Sequence, residues 1–456
     1  MRKTMILTTV SVATFMSLVN ISIVTVALPS IQKGVHTDLA GLQWVVNAFT
    51  ICLSALTLTG GSLGDRYGRR RLFVIGVAGF IVGSVICALS SDLPTLLGGR
   101  FVQGVAAAVI TPGALSIITQ TFTDPAERAR KIGAWASVAA VGLVVGPVLG
   151  GVLIAGYGWA SIFWISVPIG VIALVGTVAT IPESSDPRHA ALDPVGQVLG
   201  VAALATLSYG LIRWGRGGLG DAVSLASLAL AAVLLVGFVL AELRHPRPML
   251  PVRMFADRHF ATVNLASAAL GFGPYAVYTF LSVFMQQTQH LSALWAGIAL
   301  VPLSLATATL APVAGRWVNR SGPYAPLYAG FGCAAVGIAA VALLRADTPY
   351  GITAAALVLI GTAMAFTMTP TTNAALSAVP RERSGVASAI VNTTRQTGLT
   401  VGVALLGAVI AGHDSATTGL HVAAIIAAAT AVIVLALLVV NRAASVKAAA
   451  LASTGR

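Results

Sequence analysis

Two arginines fall inside stretches of sequence that are otherwise apolar and long enough to cross a membrane. Arg100 is followed three residues later by Gln103, and Arg395 lies between Asn392 and Gln396. An arginine inside a membrane costs about 2.5–3.5 kcal/mol, so each should face protein or a water-filled cavity, where it can bind substrate or help move charge. The alternatives are snorkelling of Arg100 to the outer surface and a structural role for Arg395 as donor to the carbonyls of a broken helix.

An asparagine in the first apolar stretch is expected at a depth similar to that of Arg100. Asn20 can hydrogen-bond a substrate or Arg100, but an amide cannot carry a proton at physiological pH. The Asp and Glu residues all fall in predicted loops or at the ends of apolar stretches, and no stretch carries an interior carboxylate or histidine. If protons are moved, boundary groups such as Asp38, Asp65 or Asp92 would have to carry them.

Two intramembrane arginines without an intramembrane acid predict an electropositive pathway, which favours a neutral or anionic substrate. The residues predicted to form the substrate or proton pathway are Asn20, Thr25, Asn47, Arg100, Gln103, Asn392, Arg395 and Gln396. Several polar and aromatic residues near the stretch ends either line this path or anchor the protein at the membrane surface, among them Gln43, Trp135, Tyr275, Tyr278 and Gln286. No His, Cys, Asp and Glu pattern indicates a catalytic or metal site, so we expect neither an enzyme nor a cofactor.

The elements that hold these residues are predicted to be membrane-spanning helices. Hydrophobic residues make up 57% of the 456 residues and charged residues 9%, against about 25% charged in soluble domains. Apolar runs of membrane length recur fourteen times, which predicts an all-α integral membrane protein with fourteen spans. The +13 net charge would suggest nucleic acid in a soluble protein, but here the basic residues lie in short loops.

The distribution of these basic residues predicts the orientation of the chain. With both termini inside the cell, 21 of the 27 Lys and Arg fall on cytoplasmic segments, and four, beginning with Lys33, fall outside. This asymmetry favours a multi-pass protein of the plasma membrane with both termini cytoplasmic. The expected partners are the lipid bilayer and a small-molecule substrate, with no nucleic acid, and we expect a monomer.

Two glycine-containing motifs predict mechanical roles. A charged turn from Gly61 to Arg71 separates spans 2 and 3; its glycines permit close approach or positive φ, and its carboxylate can pair with an arginine. The residues expected to form a conformational latch there are Gly61, Asp65, Arg66, Gly68, Arg69 and Arg70. In span 5, small residues at four-residue spacing allow backbones to touch, and a proline softens the helix. The expected gating residues are Gly142, Gly146, Pro147, Gly150 and Gly151.

A long-range repeat predicts the domain organisation. The segment Gly315–Gly322 echoes the charged turn 254 residues downstream, and each copy follows the second span of a six-span block. We therefore predict an N-terminal six-helix bundle at 1–181, a linker region with two extra spans at 182–258, and a C-terminal six-helix bundle at 259–456. Two such repeats around a midplane site are an arrangement found in transporters.

Four features together resemble one transporter family. The charged turn (G-x-x-x-D-R-x-G-R-R), the span 5 motif, the first span ending in Ala-Leu-Pro and the fourteen spans resemble the drug/proton antiporter branch of the major facilitator superfamily. The resemblance implies export of small hydrophobic compounds by alternating access, with a proton gradient as the energy source. Asn20 departs from it, because many relatives have an aspartate there. An uncoupled facilitator or exchanger for a neutral or anionic substrate is therefore the alternative.

Overall fold

The computed structural model describes residues 2–185, 193–218, 220–246, 248–379 and 384–454. Every regular element in these ranges is helical, and fourteen helices are long and apolar enough to cross a membrane, which confirms the predicted fold class and span count. Spans 1–14 are Arg2–Gly34, Leu39–Tyr67, Arg69–Leu89, Leu93–Thr121, Pro125–Tyr157, Ser161–Thr180, Pro194–Gly217, Ala222–Arg244, Arg258–Gln287, Ala293–Ser321, Tyr324–Val341, Tyr350–Ser377, Gly385–Ala411 and Ala416–Ala443.

Some spans are interrupted helices. Span 9 contains a π-helical segment, Gly271–Tyr275, at Pro274, because proline has no N–H to continue the ladder. Span 6 consists of Ser161–Trp164 and Ser166–Thr180, span 10 consists of Ala293–Ala299 and Val301–Ser321, and a short 3-10 helix, Val252–Ala256, precedes span 9.

Aspartates begin many of the spans. Each of six accepts a backbone N–H from the first turn of the following helix, which satisfies a donor that the helix leaves free. These capping residues are Asp38, Asp92, Asp124, Asp193, Asp221 and Asp257. Loop carboxylates that were candidates for proton transfer therefore also have a local structural role.

The spans pack as two blocks with an extra pair between them. Spans 9–14 share one large apolar core, whereas two cores lie among spans 1–6. The blocks meet where span 1 contacts span 9, span 5 contacts span 10 and span 2 contacts span 13. Spans 7 and 8 pack on each other, and span 7 also lies against spans 2 and 13.

Candidate functional site

A cavity of about 400 Å³ lies between the two blocks, a volume within the range of small-molecule sites. Spans 1, 2, 4, 5, 9, 10, 12 and 13 form its wall, which is mostly apolar. Two arginines reach it, Arg100 and Arg395, and no Asp or Glu is among the described residues that line it. The cavity therefore combines apolar surface with positive charge.

The predicted pathway residues divide into two groups. Five line the cavity: Thr25, Arg100, Asn392, Arg395 and Gln396. Three others are fully buried in the N-terminal block, behind the cavity wall: Asn20, Asn47 and Gln103. The aromatic residues Trp135, Tyr275 and Tyr278 also line the cavity, a position that their location in the sequence left open.

Arg100 is held by a network of buried acceptors. One terminal nitrogen donates to Asn20 Oδ1 at 2.6 Å and to Gln103 Oε1 at 2.9 Å, and its Nε donates to the Val45 carbonyl at 3.0 Å. Its guanidinium carbon lies 4.4 Å from the centre of the Phe49 ring, a cation–π distance. The side chain is 2% exposed, so only a small part of it faces the cavity.

Arg395 has a different environment. It donates to Asn392 Oδ1, one turn earlier on the same span, and it is less completely buried than Arg100. The π-helical segment of span 9 approaches span 13 closely here, because a Cβ on Gly271 would lie 2.0 Å from the Arg395 carbonyl oxygen. Glycine thus lets the backbones touch beside the arginine, which lines the cavity together with Tyr275.

The charged turn between spans 2 and 3 is tied to its own block. Asp65 Oδ1 accepts from Arg69 Nε at 2.8 Å, and Ser116 on span 4 donates to the same oxygen at 3.4 Å. Gly68 has a φ of 112°, which glycine adopts without strain. Arg70 donates to the Val178 carbonyl on span 6 at 2.8 Å.

Sequence reasoning missed a carboxylate that completes this turn. Glu183, just after span 6, accepts from the backbone N–H groups of Arg70 at 3.2 Å and Arg71 at 3.1 Å. It therefore places negative charge at the N-terminus of span 3, where the helix dipole favours it. A lone Glu in a loop gives no sequence signal for this contact, because its partners lie more than 100 residues earlier.

The span 5 motif faces two different helices. A Cβ on Gly146 would lie 1.9 Å from Ser22 Oγ, and one on Gly150 would lie 2.7 Å from Ile23 Cγ1, so this stripe packs on span 1; Gly142 also contacts span 1. On the side facing the other block, a Cβ on Gly151 would lie 2.7 Å from the Leu294 Cα. Pro147 presents its carbonyl to Gly297 of span 10.

Further contacts close the two blocks together at one end of the bundle. We call this end the outer end. The opposite end, where span 1 begins, is called the inner end. Gln43 donates to the carbonyls of Val403 and Ala404, both at 2.9 Å, and Gln286 donates to Val26 at 2.8 Å. Two glutamines that were candidates to line the path thus join the blocks.

The boundary carboxylates proposed as proton carriers are engaged in local contacts. Partial burial raises the pKa of Asp38, but hydrogen bonds from Arg216 and the Gly41 N–H outweigh it, so this pKa lies below its ordinary value. Asp92 accepts from the backbone and hydroxyl of Thr95, both at 2.9 Å. Within the described ranges no cluster of three or more His, Cys, Asp or Glu is arranged to hold a metal.

Comparison with known proteins identifies the family. The family model described as Major Facilitator Superfamily matches residues 10–403. The chain belongs to this superfamily. It is therefore a membrane transporter and not an enzyme.

Curated relatives cover most of the chain. The multidrug resistance protein Stp of Mycobacterium tuberculosis is 33% identical over 423 residues, which are 92% of this chain and 79% of Stp. The tetracenomycin C resistance and export protein of Streptomyces glaucescens is 33% identical over 89% of this chain and 75% of that protein. The M. tuberculosis drug efflux pump JefA is 34% identical over 87% and 78%.

A solved structure supports the fold independently. A crystal structure of a peptide transporter POT in complex with sulfate superposes with a TM-score of 0.71 at 16% identity, covering 95% of this chain and 93% of that one. At this identity the likeness concerns the fold alone.

Proposed function

We propose that the protein exports small, fairly hydrophobic organic compounds, such as drugs or antibiotics, by alternating access. The observation that carries the proposal is the largely apolar cavity of about 400 Å³ between two blocks joined at the outer end. The similarity to proteins named for multidrug resistance and antibiotic export supports the substrate class.

The inner end is proposed to face the cytoplasm of a bacterial cell, with both termini on that side. The excess of Lys and Arg on inner segments supports this orientation. The cavity then receives compounds from the cytoplasm or the inner leaflet. Span 5 acts as the gate, since its two glycine faces contact both blocks, and the Asp65–Arg69 turn steadies the inner end of the N-terminal block. We propose that the monomer is the working unit.

We propose that export is coupled to proton antiport, which the resemblance to drug/proton antiporters supports. The alternative, an uncoupled facilitator or exchanger, is favoured by one specific observation. The described cavity lining contains two arginines and no carboxylate, and an asparagine, Asn20, is the side chain that pairs with Arg100.

Flux in proteoliposomes tests both the proposed export of hydrophobic compounds and its proposed coupling to protons. The compound would be a fluorescent hydrophobic drug, measured with and without an imposed proton gradient and with a protonophore as control. Uphill movement that requires the gradient is expected for the antiporter. Flux that only follows the compound's own gradient would support the facilitator, and protein-independent flux for every compound tested would contradict drug export.

A further inference from the structure

Two carboxyl groups are buried against each other at the inner end of the extra helix pair. Asp193 caps span 7 and Glu242 lies near the end of span 8, and they are 3% and 2% exposed. Asp193 Oδ2 and Glu242 Oε1 have no hydrogen-bond partner. The two oxygens lie 2.8 Å and 2.7 Å from the point where a Cβ on Gly196 would stand, so they are no more than 5.5 Å apart.

The second oxygen of each carboxyl group is used locally. Asp193 Oδ1 accepts from the Gly196 N–H at 2.8 Å, and Glu242 Oε2 accepts from the Leu250 N–H at 3.0 Å. One oxygen of each group is therefore held by a backbone N–H, and the two free oxygens lie on the same side of Gly196 within 5.5 Å of each other. Burial disfavours charge and two adjacent carboxylates repel, and one proton shared between the two groups relieves both costs.

Among the residues that the structure describes, no charged side chain donates a hydrogen bond to either free oxygen. His245 Nδ1 lies 3.9 Å from Asp193 Oδ2, beyond hydrogen-bond reach but within the distance of an ion pair when the imidazole is protonated. Arg244 on span 8 and Arg253 on the 3-10 helix packed against span 8 are exposed. Spans 2 and 13, which contact span 7, carry Asp65, Arg66 and Arg395, and none of these has a hydrogen bond or ion pair with either carboxyl group.

The pair lies at a junction with the N-terminal block. Gln197, next to the Asp193 cap, donates to the Ala55 carbonyl of span 2 at 2.9 Å and contacts the Thr59 hydroxyl. The Thr59 hydroxyl also contacts Met249 Sδ at 3.0 Å, and the next residue, Leu250, donates its N–H to Glu242. The residues that attach the extra helices to span 2 thus lie beside both carboxyl groups, and span 2 lines the cavity.

We propose that Asp193 and Glu242 together form a proton-binding site that holds one proton between them and keeps the extra helices docked on span 2. The protonated carboxyl donates its O–H to the facing carboxylate oxygen. When the proton leaves to solvent, two buried negative charges face each other and the junction loosens. This site concerns a proton equilibrium of the resting protein and does not depend on the proposed function.

Infrared titration of the purified full-length protein tests the proposal without substrate. The wild type should show the C=O band of a buried protonated carboxyl that is lost as pH rises. In each single variant, Glu242→Gln and Asp193→Asn, the remaining buried carboxyl should lose this band at lower pH because the facing charge is gone, and the double variant should lack the band. Asparagine also caps helices, so the second variant keeps the span 7 cap and decides the question if the first does not fold. The matched control, Glu127→Gln at a partly exposed carboxyl, should keep the band.

Two results would overturn the proposal. One is a band that titrates at the wild-type pH in folded Asp193→Asn, since the facing carboxyl would then have no influence on it. The other is a pair that shows only the bands of ionised carboxylates throughout the pH range and whose bands shift when sodium or calcium is added. The site would then hold a metal cation and not a proton.

Discussion

The two intramembrane arginines look alike in sequence and differ in the structure. Both line the cavity, but Arg100 is 2% exposed, gives its N–H groups to three buried oxygens and stacks on Phe49. Arg395 bonds a side chain one turn away and is less completely buried. The energetic problem is the same, because each must replace water around a guanidinium. In the N-terminal block, side-chain amides of the protein bond the Arg100 guanidinium. In the C-terminal block, part of the Arg395 guanidinium is left to interact with the contents of the cavity.

This difference assigns the two arginines separate roles. A cation whose hydrogen bonds are satisfied by protein organises a bundle but has few donors left for a ligand. A cation beside an apolar cavity can pair with a polar or anionic group of a bound compound. We therefore expect changes at Arg100 to act mainly on folding and changes at Arg395 to act mainly on substrate choice.

The largest expected effect is the loss of stability in Arg100→Ala. Removing the guanidinium leaves the side-chain oxygens of Asn20 and Gln103 buried without their donor, at about 1–3 kcal/mol each. We expect the free energy of unfolding to fall by about 3 kcal/mol, measured by denaturation in detergent. The matched control, Arg395→Ala, should lose less than about 1 kcal/mol; equal losses would remove the distinction.

Arg395→Gln should change substrate affinity instead. Loss of the cavity cation removes a charge-assisted contact, so the KM for export of an anionic compound should rise about tenfold, equivalent to about 1.4 kcal/mol. A neutral compound of similar size should be exported as before. The measurement is concentration-dependent flux with a matched pair of compounds, and an unchanged anion KM would exclude Arg395 from the binding site.

Introducing an aspartate beside each arginine sharpens the contrast. Asn20→Asp should stabilise the fold by about 1 kcal/mol, because Arg100 gains a charge-assisted bond in place of its bond to the neutral amide. Asn392→Asp should leave the unfolding free energy nearly unchanged and weaken anion export, since it neutralises the cavity. Thermal unfolding should therefore change in Asn20→Asp and anion flux in Asn392→Asp. If both variants changed the same quantity to a similar extent, the two arginines would not have separate roles.

The smallest expected effect is at Gln396, which lines the cavity beside Arg395. Its loss in Gln396→Ala removes at most one hydrogen bond to substrate, so export KM should change about two- to threefold with no change in unfolding. Gln103→Ala is the buried counterpart and should instead lower stability, since Gln103 bonds both Arg100 and Ser84.

Periodicity and composition predicted the membrane architecture well. The fourteen spans follow from apolar length, and the glycines at 142, 146 and 150 follow from helix geometry, which places them on one face against span 1. The depth estimates for Asn20 and Arg100 were sufficient to make their hydrogen bond one of the options, and the structure brings them together.

Sequence could not reveal which polar groups tertiary packing would bury. Asp193 and Glu242 lie at span ends, where a carboxylate normally meets water, yet the packing of spans 7 and 8 buries both. Asn47 and Gln103 have the same helical periodicity as cavity-lining residues but point into the N-terminal block. Side-chain direction across several helices depends on the whole bundle, which no local pattern encodes.

We expect Arg395, and not Arg100, to determine the preference for anionic over neutral substrates. The most direct test of this expectation is the ratio of anionic to neutral compound exported by proteoliposomes containing wild type, Arg395→Gln, Arg395→Lys or Arg100→Lys, each normalised to folded protein. We expect Arg395→Gln to lose the preference for the anion, Arg395→Lys to keep most of it, and Arg100→Lys to have the wild-type ratio. A ratio that changes in Arg100→Lys and not in Arg395→Gln would contradict the account.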